Sequence, residues 1–238
     1  MWNVIAKNGQ IYGNREYKNK VDLTNNFWFS YPGYNEILTG IRKDKKIFSN
    51  GKLYNPNITV LEHLNSIPAF QNKVAAFGSW ELFPYIFNEK RCGFTVNAGK
   101  RPLNLKEQHN KGNELNSMLS EIKSPWSCIR PDTITYRFAL EYMKEFSPKV
   151  VFISFGETDE YGHDGNYPGY LNAIRRTDQY IEDIWNFVQS NDHYRDKTTI
   201  IITTDHGRGI SLQKQLGKTR KVLRRIGSNM VRSYGTGC

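Results

Sequence analysis

The sequence predicts an α/β domain in which a mostly parallel sheet is flanked by helices. Two runs rich in β-branched and aromatic residues, 150–155 and 199–203, are typical of buried strands. Between them, residues 170–188 place apolar side chains at helical spacing, with charged side chains at the intervening positions. A strand, a helix and a second strand in this order favour a parallel pair joined by a helical crossover.

Acidic residues and histidines follow both of these strands. The sequence ETDEYGH occupies residues 157–163, and TDHG occupies residues 204–207. The carboxyl ends of parallel strands meet at one edge of a sheet, where ligands bind in open α/β folds. Aspartate and histidine together suit zinc or a similar divalent ion, so we predict a metallohydrolase site at this edge. Its candidate metal ligands are Asp159, His163, Asp205 and His206.

Capping signals and apolar runs predict the elements of the first half of the chain. Gly9 would end a helix over residues 1–7, and Gly40 would end a helix that begins at Ser30 or Tyr31. Short apolar runs that stop at turn residues account for the others. These are a strand at 10–14, a helix at 58–64, a strand at 73–77, a helical segment at 80–87 and a strand at 92–96.

Two further helices precede the strand at 150–155. They are predicted over residues 114–122 and 132–146, where apolar side chains recur partly in phase with a helix. A Ser-Pro pair and an Arg-Pro pair lie between them, and such pairs interrupt a helix. The predicted order of elements therefore alternates between strands and helices along most of the chain.

The size and composition of the chain suit one globular domain with a substantial core. Of its 238 residues, 38% are hydrophobic and 24% are charged, which argues against disorder. No apolar run reaches the roughly 18 residues of a membrane helix. The first seven residues lack the basic start and apolar stretch of a signal peptide, and the compartment stays open. Three cysteines without Cys-x-x-Cys spacing argue against a disulfide framework or a cysteine zinc site.

The formal net charge of +10 comes largely from the end of the chain. Eight basic residues and no acidic residue follow His206, and without them 25 basic residues face 23 acidic ones. We therefore predict a domain over residues 1–209 and a basic, poorly ordered tail over residues 210–238. The alternative is that this tail binds nucleic acid or another polyanion, which we consider the weaker interpretation.

Ser30 is the candidate catalytic nucleophile. At the start of a helix its hydroxyl would lie where backbone N–H groups and the positive helix end favour an anion. A metal ion bound to the hydroxyl oxygen would lower its pKa and activate it for attack. The alternative is an ordinary capping serine. His63, His109 and His193 lie in polar contexts, and we interpret them as surface residues.

Three motifs, in this order, resemble the alkaline phosphatase superfamily and especially its nucleotide pyrophosphatase/phosphodiesterase and related phosphatase branches. They are SYP and LTG at residues 30–32 and 38–40, ETDEYGH at residues 157–163, and TTDHG at residues 203–207. The resemblance covers about residues 1–209. It implies the three-layer α/β sandwich of that superfamily, and its members are often exported.

The resemblance implies a phosphoric-ester hydrolase, either a phosphomonoesterase or a phosphodiesterase, with two divalent ions that we expect to be Zn²⁺. Asp205 and His206 would bind the ion that activates Ser30. Asp159 and His163 would bind the ion that stabilises the leaving oxygen and later supplies hydroxide. The nucleophile would form a phosphoserine intermediate that water hydrolyses. The implied substrate is a small-molecule phosphate ester.

Asn50 is the candidate substrate-binding residue. It follows the nucleophile at a distance that resembles the position of a phosphate-contacting asparagine in some members of the superfamily. A sulfatase is disfavoured, because the SYPGY sequence at residues 30–34 lacks the arginine of the sulfatase nucleophile motif. Transfer of the phosphoglycerate mutase type stays a neighbouring possibility.

The sequence differs from the superfamily pattern at two ligand positions. The family places an aspartate ligand before the nucleophile, but only Glu16 and Asp22 are acidic there, and both lie in the wrong context. It also supplies another histidine downstream, but none follows His206. Each ion would then keep two of three protein ligands, which weakens metal binding. We therefore expect a domain truncated at both ends, without its first strand, and leave open whether this chain is active.

Overall fold

The computed structural model describes residues 1, 3–14, 18–27, 29–42, 44–105 and 110–207. Within these ranges the chain forms eight helices and three strands. In chain order they are α1 (Ile5–Asn8), α2 (Ser30–Thr39), α3 (Val60–Ser66), β1 (Val74–Gly78), α4 (Phe83–Ile86), β2 (Thr95–Ala98), α5 (Asn110–Glu121), α6 (Asp132–Phe146), β3 (Val150–Ser154), α7 (Glu157–His163) and α8 (Tyr167–Ser190). The predicted tail over residues 210–238, His109 and Glu16 lie outside the described residues.

The three strands form one parallel sheet in the order β2-β1-β3. The central strand β1 pairs Ala75 with Thr95 of β2 and with Val151 of β3. The prediction of an α/β fold with a parallel sheet flanked by helices is therefore confirmed. Because all three strands run the same way, the segments that follow them emerge at one edge of the sheet.

Helices cover both faces of this sheet. Alternate side chains of β1 point to opposite faces, so all of its residues are buried. Val74 and Ala76 pack in a cluster with residues of α2, α3 and α4, whereas Ala75 and Phe77 pack in a cluster with residues of α5 and α6. A sheet buried on both faces accounts for the continuous apolar run that predicts this strand.

The predicted strands differ from the structure at three places. Residues 10–14 form no strand, and the strand predicted at 92–96 lies at Thr95–Ala98. Residues 199–203 carry strong strand propensity but have no ladder partner in the described part of the chain, and the Ile201 side chain is 85% exposed. Propensity alone does not satisfy backbone N–H and C=O groups, so the last of these predictions is wrong.

Among the described helices, none combines the length and the apolar character that a membrane crossing demands.

The first residues of α6 and α7 cap each other's helices. The buried Asp132 carboxylate accepts hydrogen bonds from the Gly156 and Glu157 backbone N–H groups, at 2.7 and 3.0 Å. In return the Glu157 carboxylate accepts one from the Asp132 N–H at 3.1 Å. The Ser79 hydroxyl also donates to Asp132, at 2.6 Å, and Arg176 pairs with Glu157. The N–H groups at a helix start have no partner within the helix, so this exchange satisfies donors of both helices.

Glu36, in the last part of α2, fixes the segment that leads into that helix. Its carboxylate accepts hydrogen bonds from the Thr24 N–H and hydroxyl, at 2.8 and 2.7 Å. It also accepts from the Asn25 N–H and side-chain amide, at 3.1 and 3.0 Å. Burial alone would raise the pKa of Glu36, but these hydrogen bonds outweigh it and lower the pKa below its usual value.

Glu36→Gln is expected to lower the free energy of unfolding at pH 7 by about 1–2 kcal/mol, because the charged acceptor is lost. The lowered pKa makes the ionised carboxylate the form that the folded chain favours. Its stabilisation is therefore present at neutral pH and is lost as the pH falls below the ordinary glutamate pKa towards the lowered one. Denaturant titrations at pH 7, 5 and 3 should show the difference between wild type and variant shrinking. Glu121→Gln at the exposed end of α5 should show no such trend.

Candidate active site

The candidate nucleophile Ser30 is the first residue of α2, and Phe29 is its N-cap. Its side chain is buried, with 1% of the residue exposed. The prediction of a serine at the start of a helix therefore agrees with the structure. At this position the hydroxyl lies in the first turn, close to the N–H groups that a helix start leaves available.

Ser30 lies against the Asp-His pair predicted to bind an ion with it. Its Oγ is 3.2 Å from Nε2 of His206, although 176 residues separate the two in sequence. That Nε2 is in turn 3.5 Å from Oδ2 of Asp205, and the Asp205 side chain is fully buried. A hydroxyl, an imidazole and a carboxylate thus meet at one point beside the start of α2.

The hydrogen bonds of the Asp205-His206 segment orient both side chains. Oδ1 of Asp205 accepts from the His206 N–H at 2.9 Å, and Nδ1 of His206 lies 3.0 Å from the Gly207 carbonyl oxygen. A carbonyl can only accept, so Nδ1 of His206 donates this hydrogen bond. Burial raises the pKa of the Asp205 carboxyl, and the nearby His206 ring and Ser30 hydroxyl oppose that rise.

Gly33 allows this close approach of α2 to the Asp205 backbone. A Cβ atom at Gly33 would lie 2.4 Å from the carbonyl oxygen of Asp205 and 3.0 Å from its carbonyl carbon. Contacts this short to backbone atoms force one of the two segments to move. Glycine at this position is therefore required by the packing of the helix against the Asp205-His206 segment.

Asn50, on a later segment of the chain, lies beside the start of α2 and close to the candidate nucleophile. Its Oδ1 accepts a hydrogen bond from the N–H of Tyr31, the residue after Ser30, at 3.0 Å. Within the described residues its Nδ2 makes no hydrogen bond, so the amide can donate to a further acceptor. The structure thus brings Asn50 to the region where the sequence predicts it, while its role in substrate binding stays a prediction.

Asp159 and His163 face each other on α7. They are four residues apart on a helix rather than in a loop, and Nε2 of His163 lies 3.2 Å from Oδ2 of Asp159. The Asp159 side chain is buried, whereas the His163 side chain is 55% exposed. Residues four apart on a helix share a face, so both can contact one bound ion.

Helix α2, against which Asp205 and His206 lie, contacts the end of β3. The Tyr34 hydroxyl of α2 is 2.7 Å from Oγ of Ser154, the last residue of β3, and α7 follows shortly after. No three His, Cys, Asp or Glu side chains converge on one point among the described residues. The structure therefore brings together the members of each pair, and convergence of all four ligands on one two-ion pocket stays a prediction.

Three residues that support the site were missed by sequence reasoning. Tyr34 and Asp132 act across long sequence separations, at Ser154 and at the start of α7, and neither has a local motif. Gly33 did carry a signal, because a glycine inside a helical pattern often marks a close backbone approach. Of the histidines interpreted as surface residues, His63 and His193 are exposed.

The residues beside Ser30 fit a divalent cation. In the described part of the chain, Oδ2 of Asp205 is buried and accepts no hydrogen bond. A buried carboxylate without a compensating cation is costly, and a metal ion would remove that cost. The neighbouring Nε2 of His206 and Oγ of Ser30 complete a donor set of two oxygens and one nitrogen, which suits zinc.

A family model described as "Metalloenzyme superfamily" matches residues 121–221 of the chain. The matched range contains α6, β3, α7, α8 and both candidate metal-binding pairs. It also extends past residue 209 into the basic segment.

A curated protein is similar to part of this chain. The 2,3-bisphosphoglycerate-independent phosphoglycerate mutase of Gracilaria tenuistipitata var. liui is 32% identical over 69 residues, which make up 29% of this chain and 12% of that protein. No solved structure matches the chain. Neither match singles out the nucleotide pyrophosphatase/phosphodiesterase branch. Over these ranges the chain is therefore similar to metal-dependent enzymes of an alkaline phosphatase-like metalloenzyme superfamily.

Proposed function

We propose that this protein is a metal-dependent phosphoric-ester hydrolase that uses Ser30 as its nucleophile. The observation that carries the proposal is the contact of the Ser30 hydroxyl with His206, beside the buried Asp205 carboxylate. A serine, an imidazole and a carboxylate from distant parts of a sequence meet here at the start of a helix. This is the arrangement that activates a serine for attack on phosphorus when a cation is bound.

The chain supplies ligands for two cations. Asp205 and His206 would hold the first beside Ser30, and Asp159 and His163 would hold the second on α7. Zinc is the ion that these nitrogen and oxygen donors suit best. Bound divalent ions would lower the pKa of the serine hydroxyl and neutralise charge on the attacking and leaving oxygens.

The protein groups then act in a defined order. Ser30 Oγ attacks the phosphorus atom as its hydroxyl proton passes to solvent, and a P–Oγ bond forms. The bond to the leaving alcohol oxygen breaks, and that oxygen takes up a proton from solvent, which leaves a phosphoserine. The Asn50 amide would donate a hydrogen bond to a phosphoryl oxygen, since its Oδ1 is already held by the Tyr31 N–H. Water attacks the phosphoserine, which releases phosphate and restores the Ser30 hydroxyl.

The similarity to a phosphoglycerate mutase favours a second candidate function. The same phosphoserine could pass its phosphoryl group to another hydroxyl of a sugar or glycerate-type acceptor instead of to water. The first half of the reaction is identical in both cases, and the acceptor alone distinguishes them. Phosphorus NMR of the products, with and without added glycerate, separates free phosphate from a transferred ester.

Ser30→Ala is expected to reduce zinc-dependent turnover of p-nitrophenyl phosphate and bis(p-nitrophenyl) phosphate by on the order of 10³-fold or more, because no oxygen remains to form the covalent intermediate. The two substrates also distinguish a monoesterase from a diesterase. Ser66→Ala, at an exposed position in α3, serves as the matched control and should retain activity. Retention of turnover by Ser30→Ala, or zinc binding without any turnover in the wild type, would count against the hydrolase.

A further inference from the structure

Three phenylalanines beside the start of α2 are exposed to solvent. The exposed fractions are 36% for Phe27, 47% for Phe29 and 56% for Phe48. The rings of Phe27 and Phe48 lie 6.2 Å apart between centroids, with their planes inclined by 56°. We call these three side chains the aromatic rim. Aromatic pairs are usually found in cores, where rings gain most from leaving water, so an exposed pair beside a candidate nucleophile needs an explanation.

The backbone of the aromatic rim is held at the candidate site. Phe29 immediately precedes Ser30, and its carbonyl accepts the N–H of Gly33 at 3.1 Å. The N–H of Phe27 donates to the Asn25 side chain at 3.1 Å. Asn25 is in turn bonded to the Glu36 carboxylate of α2, so this half of the aromatic rim is fixed to the nucleophile's own helix.

Phe48 reaches the same place from a different segment. Its neighbour Ile47 is buried in the core, with 2% exposed, and Asn50 is bonded to the Tyr31 N–H at the start of α2. Phe48 lies between these two anchors and is 56% exposed. The two segments that carry these rings are therefore anchored separately beside Ser30 and Asn50, which the proposed function assigns to the phosphoryl group.

We propose that the aromatic rim binds an aromatic ring in the organic part of the phosphate ester. This inference rests on the proposed function and assigns its substrate class: esters of phenols or of alcohols that carry an aromatic ring. Rings stack on exposed aromatic side chains, and removing one such partner typically weakens binding about tenfold or more. The phosphoryl group would lie at Ser30 and the ring would contact Phe27 and Phe48.

The test compares an aromatic ester with a small aliphatic one in the full chain loaded with zinc. Phe48→Ala is expected to lower the ratio of kcat/KM for phenyl phosphate to kcat/KM for ethyl phosphate about tenfold, with ethyl phosphate turnover nearly unchanged. The difference in leaving-group pKa cancels, because the ratio is compared between variants. Phe48→Tyr keeps the ring and should restore the ratio.

Ile122→Ala is the matched control. Ile122 follows α5, which packs on the sheet face opposite to α2, and its exposure of 39% resembles that of Phe27. The ratio should not change in this variant. An equal loss for both substrates in Phe48→Ala would indicate a general structural effect and would overturn the inference.

A binding measurement separates this inference from the proposed function. In zinc-loaded Ser30→Ala, titration calorimetry should show phenylphosphonate binding about tenfold more tightly than methylphosphonate, and Phe48→Ala should remove that preference. Equal binding of the two phosphonates would overturn the aromatic rim as a subsite even where Ser30-dependent turnover is observed. If Phe48→Ala instead abolishes self-association or vesicle binding and leaves phosphonate binding unchanged, the surface docks a macromolecule and the inference is overturned.

Discussion

Gly33→Ala is expected to lower zinc affinity by about 10–100-fold and to reduce turnover at least as much, although it changes no candidate catalytic group. The added Cβ would lie 2.4 Å from the carbonyl oxygen of Asp205. Either α2 or the backbone at Asp205 must therefore move away from the other. Asp205 and His206 would move away from Ser30, so the three metal-binding side chains would no longer lie together. Titration with zinc and kinetic assays with p-nitrophenyl phosphate measure the two effects.

Helix propensity and the steric contact with Asp205 predict opposite effects for Gly33→Ala. Alanine is the better helix former by about 1 kcal/mol, so propensity alone predicts a harmless or stabilising change. Gly112→Ala in α5 is the matched control, since the nearest atom to its Cβ would be the Leu105 Cδ1 at an ordinary 3.4 Å. That variant should keep activity and gain slightly in thermal stability. Normal zinc binding by Gly33→Ala would show that the contact between α2 and Asp205 is not tight in solution.

Asp132→Ala is expected to lower the free energy of unfolding by about 3 kcal/mol or more. The substitution leaves the N–H groups of Gly156 and Glu157 without their buried acceptor, and the Ser79 hydroxyl keeps only Thr135 as a partner. Each unsatisfied buried donor costs about 1–3 kcal/mol, and partial access of water reduces the sum. Burial and the neighbouring Glu157 raise the pKa of Asp132 to about 7, while the three donors oppose that rise.

Urea denaturation of Asp132→Ala and Asp132→Asn separates capping from charge. The asparagine retains one acceptor oxygen but turns an amide N–H₂ towards the backbone N–H of Glu157, so it should recover only part of the loss. Asp192→Ala serves as the control, since that side chain is 86% exposed and the change should stay within about 0.5 kcal/mol. A loss of that small size for Asp132→Ala would contradict the capping role.

Much of the fold could be predicted because it depends on local patterns. The apolar run of β1 and the amphipathic pattern of α8 are strong signals, and both elements form. The strand predicted at 199–203 has equally good composition but no neighbouring edge to pair with in the described residues. Strand pairing requires two segments, so the sequence of one segment does not determine whether it pairs.

The resemblance to one superfamily implied that Ser30 and the Asp205-His206 pair lie together, and the structure places Oγ of Ser30 3.2 Å from Nε2 of His206. The roles of these residues stay predictions. The hydrogen bond of Tyr34 to Ser154 and the exchange between Asp132 and Glu157 have no comparable motif, because their partners are far apart in sequence. These hydrogen bonds form only when the packed fold brings their partners together.

Because α6 and α7 cap each other, α7 does not unfold locally without affecting α6. A helix of seven residues has little persistence of its own in water, and its first turn would normally fray. Here the loss of that turn would also expose the first residues of the fifteen-residue α6, whose other side chains fill the core. Local opening of α7 is therefore coupled to opening of the core, so Asp159 and His163 should be as well protected as core residues although their helix has only seven residues.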